Sequence, residues 1–271
     1  MMKTPDELHE EFEIRGFLGK GIASGIPDLR AENEGWFTLI EDVNELLVRT
    51  AAAATNTVKT NSLAPEAVAV RIVLRSCGTL QGVILMTERG MVAEGRILTR
   101  SLVEDAFCIA ALHDNPVSFL EILKEDSEGS RRLQGKFILA QDMIDKGASR
   151  DKLQAAIDAL GKPDTMSPKA IAAMGPLLKQ YLAYQRLSDD AAHTSARSLD
   201  RHVKSDAARS GWCYKWGAGS REENAVTLHH AVLASLPIGV AITQMLKDTD
   251  NNSRFGDLAD RFQAMPPVGV I

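Results

Sequence analysis

The sequence predicts an all-α protein, a multi-helix bundle preceded by a loop-rich N-terminal arm. Three observations favour this class. Only 5% of the 271 residues are aromatic, so the core must consist mainly of aliphatic side chains, which suit packed helices better than a β-sandwich. Apolar residues recur at steps of three and four in most segments, and no long alternating run indicates a strand. Capping signals and prolines divide the chain into pieces of helix length.

The elements follow from these signals in order. Clustered glycines over residues 16–25 predict an arm over residues 1–34, the bundle is expected over residues 35–247, and residues 248–271 are polar and Pro-rich, typical of a peripheral tail. Within the bundle the helix from Trp36 is followed by predicted helices over Pro65–Glu88, Met91–His113, Val117–Lys124, Leu133–Lys146, Asp151–Leu160, Pro168–Ala192 and Asn224–Lys247. A loop is expected over Glu125–Arg132, and Ser220 with Glu223 forms a capping box ahead of the last helix.

Composition excludes several classes of protein. The chain carries 31 Lys and Arg residues against 36 Asp and Glu residues, a net charge of −5, which disfavours broad binding to nucleic acid or acidic membranes. Three widely spaced cysteines predict neither disulfides nor a zinc site. The most apolar stretch, Ala231 to Ile242, is too short to span a bilayer. We therefore expect a cytoplasmic protein without a membrane segment.

The first candidate site lies on the predicted helix Met91–His113. Arg100 lies one turn before Glu104, next to the apolar run from Ala106 to Leu112, so we expect Glu104 to be mostly buried and bonded to Arg100. An ion pair that fastens a neighbouring helix would explain this pattern, and so would a charged ligand pocket inside the bundle.

The second candidate site is a hydroxyl-rich helix end. Tyr184 and Ser188 share one helical face, and His193 follows just beyond. A phenol, a hydroxyl and an imidazole grouped in this way can bind a polar ligand or transfer protons. The alternative is an amphipathic helix whose tyrosine hydroxyls reach the surface.

The two candidate sites together resemble a known family. The segments R-S-L-x-E, from Arg100 to Glu104, and Y-x-x-L-S-x-x-x-x-H, from Tyr184 through Ser188 to His193, resemble a family of bacterial all-helical proteins described as a domain of unknown function. The resemblance implies an all-α fold in which the two helices are neighbours and these five residues converge on one site. It implies no established activity.

A more distant similarity is to the HEPN superfamily of nucleotide-binding helical proteins. Many of its members are metal-independent ribonucleases in which four to six residues lie between an Arg and the following His. Six residues lie between Arg186 and His193, and four lie between Arg197 and His202. The similarity implies that Arg186 or Arg100 would stabilise phosphate charge while His193 assists proton transfer. Leu187 departs from the polar residue that usually follows the Arg.

The remaining candidate sites are a metal site at the histidines and an aromatic site at the tryptophans. No Glu is followed three residues later by a His, and His229 and His230 are adjacent and face different sides of a helix, so we predict neither a metal site nor a cofactor. Trp212 and Trp216, close to Lys215, could form a stacking platform for a base. The favoured alternative is a loop tucked over the bundle by its indoles.

Two functional hypotheses follow. The favoured one is a ligand- or partner-binding module with a buried Arg, Glu, Tyr and His cluster, whose partner is a small ligand or a protein. The alternative is a HEPN-like ribonuclease or nucleotide-directed toxin or defence component, which leaves open whether the protein is an enzyme. The net charge of −5 makes RNA the less favoured partner. Helices rich in small residues and the Trp-rich segment could also pack across a two-fold axis in a homodimer.

Overall fold

The all-α prediction is confirmed. The computed structural model describes residues 11–145, 147–160, 166–206 and 211–269, and most of them are helical. The helices are α1 (Lys20–Glu32), α2 (Glu34–Thr57), α3 (Pro65–Thr87), α4 (Val92–Asp114), α5 (Pro116–Ala140), α6 (Ala148–Ala159), α7 (Pro168–Met174), α8 (Tyr181–Leu187), α9 (Ala196–Asp200), α10 (Arg221–Met245) and α11 (Thr249–Gln263). Short 3-10 turns cover Gly16–Leu18 and Leu178–Gln180, and a π-helical turn covers Ser188–Ala192.

The core surrounds α4 and α10. Helix α4 packs against α3 and α10, and α10 also contacts α2 and α11. Pro65 and Pro116 each occupy the first helical position of their helix, where the missing amide hydrogen matters least. The predicted capping box is present at the start of α10, where the side chains of Ser220 and Glu223 each accept from the other residue's backbone amide. These local signals fix where the central helices begin.

Strand is limited to one small hairpin in the described part of the chain. Strand β1 (Val203–Asp206) pairs antiparallel with β2 (Gly211–Tyr214). Both strands are largely exposed, and an isolated hairpin of this size depends on its surroundings for stability.

The N-terminal arm is more helical than its glycines predict, within the described residues from 11 onward. Helix α1 forms because the Glu11 carboxylate accepts from the backbone amides of Lys20 and Gly21, at 2.8 and 3.0 Å, and so satisfies donors at the helix start. Arg30 then ties α1 to the bundle through Glu88. Residues 1–10 of the predicted arm lie outside the described residues.

The loop predicted at Glu125–Arg132 is wrong, because α5 runs unbroken through it. The α5 side chains on the main core extend to Leu123; further along, the helix packs on α6, where Gly135 lies against Ile157. Intrahelical pairs such as Lys124 with Glu128, at 3.9 Å, are typical of an exposed helix.

The single long helix predicted over Pro168–Ala192 is also wrong. It is divided into α7, a 3-10 turn, α8 and the π turn. The first break occurs at Gly175, whose backbone approaches α4 so closely that a Cβ there would lie 3.1 Å from the backbone of Ala110. The chain is therefore redirected along α4 instead of continuing straight.

A helix also occupies the region predicted to be a C-terminal tail. Phe255 and Leu258 of α11 are buried, and the Phe255 ring fills the space beside Gly239 on α10, where a Cβ would overlap it. The last described residues after Gln263 are irregular. Helix α11 thus contributes to the core.

Two helices, α3 and α10, are long and apolar enough to cross a membrane by length and composition alone. The apolar stretch from Ala231 to Ile242 is shorter than the apolar part of α10, because the helix continues through Pro237. In the bundle, however, half of the most apolar window of α3 and 67% of that of α10 are buried. Core helices of helical bundles share these properties.

The cysteines yield a first prediction. Burial raises the pKa of Cys77 to about 11 and that of Cys108 to about 12, so at pH 8 the reactive thiolate is at most about one part in a thousand at either position. Cys213, on the exposed hairpin, is half-buried. We expect a colorimetric thiol reagent to modify Cys213 rapidly and the other two only in denaturant. Two or three fast thiols in the native protein would contradict the structure.

Candidate functional site

Arg100 is the centre of a half-buried polar cluster. Its Nε donates to the Ser188 hydroxyl at 2.7 Å, and its Nη2 donates to the Tyr184 hydroxyl and lies 3.3 Å from Oε1 of Glu104. The Tyr184 hydroxyl donates to the same Oε1 at 3.0 Å. The guanidinium also lies over the Tyr184 ring, 4.6 Å from its centroid. The structure therefore brings together these four residues, which we call the Arg100 cluster.

Glu104 is less deeply buried than its neighbour Asp105. Its side chain is 29% exposed, whereas the neighbouring carboxylate of Asp105 is buried and accepts from Arg75 and, at 3.0 Å, from Ser76. One step along a helix rotates the side chain by about 100°, so it is Asp105, not Glu104, that is directed at α3. Glu104 is therefore half-buried and bonded to Arg100 and Tyr184, whereas the carboxylate sealed in the core is that of Asp105.

The Tyr184 phenol is a proton donor within the Arg100 cluster. Burial, followed by the nearby Glu104 carboxylate, raises the pKa of Tyr184. The phenol therefore stays protonated and donates, which suits a fastener between α4 and α8 better than a proton-transfer group.

A second and more deeply buried set lies one turn earlier on α4. Arg96 donates through Nη1 to Oδ2 of Asp190 at 2.6 Å and through Nε to Thr227 at 3.2 Å. The same Asp190 oxygen accepts from Arg201 at 2.8 Å, and Arg201 also donates to Glu223 at 2.9 Å. We call this set the Asp190 network. It connects α4, the π turn, the residue after α9 and the start of α10.

The π turn places both sets against α4. Its defining hydrogen bond runs from the His193 amide to the Ser188 carbonyl, at 3.3 Å. The wider turn buries Ser188 against Arg100 and Asp190 against Arg96. π turns are rare and are frequent at functional sites.

Two candidate catalytic residues do not join this arrangement. The His193 side chain is exposed and, among the described residues, has no side-chain hydrogen bond or ion pair with Arg100 or Glu104. Arg186 is half-buried and lies near His230, whose pKa is lowered mainly by burial and further by the charges of Arg96 and Arg186. The convergence of His193 with the cluster, which the resemblance implies, therefore has no supporting contact.

The indoles of Trp212 and Trp216 do not tuck over the bundle; they are 46% and 59% exposed. Trp212 packs edge-on against Tyr214 within the hairpin, at 5.1 Å between ring centroids. Trp216 instead meets Phe12 of the N-terminal arm at 4.8 Å, and Phe12 meets Phe17 at 5.2 Å. The two indoles are both exposed and close in sequence but have different neighbours. One can therefore serve as the control for a substitution of the other.

A cleft of about 150 Å³ opens beside Trp216. It lies between the first turn of α4, the Arg201–His202 turn and the chain that leads from the hairpin to α10. Its side chains include Phe17, Glu94, Arg201, His202, Lys215 and Trp216. We call it the hairpin cleft. Arg201 and Glu223 belong both to this cleft and to the Asp190 network, so the buried ion pairs extend to its wall.

The adjacent histidines His229 and His230 are half-buried. His230 bonds through Nδ1 to the Val226 carbonyl at 2.8 Å, while His229 packs between the rings of Trp36 and Phe262. Among the described residues no group of three His, Cys, Asp or Glu side chains has the arrangement of a metal site.

The environment of His229 predicts a loss of stability in acid. Burial, followed by the charge of His230, lowers the pKa of His229 from 6.5 to about 4. Between these two values the unfolded chain binds more protons, so stability is complete above pH 6.5 and falls as the pH drops towards 4. Because the imidazole is partly exposed, we expect a loss of only about 1–2 kcal/mol. Urea unfolding at pH 7 and pH 4.5 should show this loss, and His229→Gln should reduce it; an equal loss in both proteins would contradict it.

The fold and the site define an all-α bundle whose central helix carries two arginine sets that fasten a π turn. Residues 66–210 match the family described as Family of unknown function (DUF5677). This range covers more than half of the 271-residue chain, and the chain belongs to that family. It includes both arginines of α4, the π turn and Arg201, but neither Lys215 nor Trp216. No curated protein and no solved structure matches the chain.

Sequence reasoning missed the Asp190 network. Arg96 lies one turn before Arg100 and could have been suspected from that spacing. Asp190 could not be distinguished from its neighbour Asp189, because only the π turn decides which of the two is buried.

Proposed function

We propose that this protein is a binding module and that the hairpin cleft holds its small polar ligand. The observation that carries the proposal is the position of Arg201. Its guanidinium is only 15% exposed and is oriented by Asp190 and Glu223, yet it lines a cleft that also contains an exposed indole. Charged and aromatic groups held in advance on the wall of a cleft favour ligand binding, because little ordering is needed when the ligand arrives.

The Arg100 cluster has a structural role in this proposal. Nε and Nη2 of Arg100 have partners on α8, the π turn or α4 itself, and Arg100, Glu104 and Tyr184 do not line the hairpin cleft. The cluster and the Asp190 network therefore hold α8 and the π turn in place, and the network positions the wall of the cleft.

A thermal-shift screen tests the proposal. The full chain is heated with single metabolites of low molecular mass, and we expect at least one to raise the melting temperature with a saturable dependence on concentration. Trp216→Ala should abolish this rise while leaving the unliganded melting temperature nearly unchanged. Trp212→Ala, on the adjoining strand β2 but outside the lining of the cleft, is the matched control and should retain the rise. Equal behaviour of the two variants would refute the proposal.

Incubation with RNA tests the alternative hypothesis of a ribonuclease. RNA incubated with the protein in EDTA should remain intact if the protein is a binding module. Cleavage that is lost in His193→Ala and retained in His202→Ala would instead support the HEPN-like alternative, because His193 is exposed next to the π turn.

A further inference from the structure

Among the described residues, two of the four charged side chains that line the hairpin cleft have ion-pair partners, and two do not. Arg201 pairs with Glu223 at 2.9 Å and with Asp190 at 2.8 Å, so both of these lining charges have partners within the protein. The other two fully charged side chains of the lining are Glu94 and Lys215, and neither has an ion pair or side-chain hydrogen bond among the described residues. The cleft therefore presents one carboxylate and one ammonium group, both exposed, to whatever enters it.

The rest of the lining is aromatic. The rings of Phe17 and Trp216 contribute to the cleft, and Phe12 packs edge-on against both of them. A volume of about 150 Å³ is smaller than the roughly 300–1,000 Å³ of sites for drug-sized ligands. The ligand must therefore be small, with an apolar part that can contact aromatic rings.

We propose, on the basis of the proposed binding function, that the hairpin cleft binds a free α-amino acid with an apolar side chain. The ammonium group of the ligand pairs with Glu94, its carboxylate pairs with Lys215, and its side chain packs against Trp216 and Phe17. A zwitterion satisfies both protein charges at once. A simple amine or a simple carboxylic acid leaves one of them without a partner, which reduces the affinity.

Glu94 also has a simpler role that the test must separate from ligand binding. It lies in the first turn of α4, where an acidic side chain stabilises the helix dipole. Glu66 occupies the first turn of α3 and does not line the hairpin cleft. Glu66→Gln is therefore the matched control for Glu94→Gln. Lys204→Met, on β1 and also outside the lining, is the control for Lys215→Met.

Isothermal titration of the full chain with phenylalanine, leucine, 3-phenylpropanoate and phenethylamine tests the inference. We expect the amino acids to bind at least ten-fold more tightly than either analogue. Glu94→Gln should weaken phenylalanine at least ten-fold and leave 3-phenylpropanoate unchanged, while Lys215→Met should weaken phenylalanine and leave phenethylamine unchanged. The two control variants should bind all four compounds as the unaltered protein does.

The outcomes distinguish this inference from the function on which it rests. Equal affinity for phenylalanine and its two analogues, or no binding of either amino acid at millimolar concentration, would overturn the inference. If a different metabolite then binds in a manner that depends on Trp216, the proposed function stands with another ligand class. If no metabolite binds in that manner, the proposed function falls as well.

Discussion

Asp190→Ala should destabilise the protein by about 3–5 kcal/mol, the range for breaking one side of a buried ion pair. The carboxylate accepts from Arg96 at 2.6 Å and from Arg201 at 2.8 Å. The Arg96 side chain is only 6% exposed, so without Asp190 its charge would be left in the core with neither a counter-ion nor water. Equilibrium urea unfolding measures this loss.

Asp105→Ala is the matched control for this prediction. Asp105 is as buried as Asp190, but its partner Arg75 is 55% exposed and remains hydrated when the carboxylate is removed. We expect a smaller loss of about 1–2 kcal/mol. Equal losses of stability in the two variants would show that the buried charge of Arg96 does not explain the effect of Asp190→Ala.

Phe255→Ala should destabilise the protein by about 3–5 kcal/mol, as expected when a fully buried ring leaves a cavity. The ring is 0% exposed and contacts α10 at Gly239, where no other residue could bring a backbone so close. Gly239 on α10 cannot relax to fill the gap because it has no side chain.

Gly256→Ala, one residue further along α11, is the control for Phe255→Ala. A Cβ at Gly256 meets no other atom within 4 Å, and Ala is favoured over Gly inside a helix by about 0.5–1 kcal/mol. We therefore expect a small stabilisation. Unchanged unfolding of Phe255→Ala would show that α11 is a peripheral segment, as its polar sequence predicts.

The central helices could be predicted because their signals are local. Apolar residues at helical spacing mark α3, α4 and α10, and Pro65 and the Ser220 capping box mark where two of these helices begin. Helix α11 could not be placed on the core in this way. Its sequence is polar apart from a few residues, and the contact of Phe255 with Gly239 depends on tertiary packing that composition does not reveal.

In the candidate site, too, contacts between residues close in sequence could be predicted, and contacts between distant residues could not. The pairing of Arg100 with Glu104 follows from a spacing of four residues on one helix, and the structure contains it. The pairing of Arg96 with Asp190 spans 94 positions of sequence and depends on the π turn. The hairpin cleft combines residues from the N-terminal arm, α4 and the segment before α10, so no local pattern could predict it.

The most direct test of the account compares Arg100→Ala with Trp216→Ala for any metabolite that stabilises the unaltered protein. We predict that Arg100→Ala lowers the melting temperature of the unliganded protein but retains the rise on adding the metabolite, because the Arg100 cluster fastens helices. Trp216→Ala should retain the melting temperature and lose the rise, because Trp216 lines the cleft. The opposite pattern would contradict the account and would place the ligand at the Arg100 cluster.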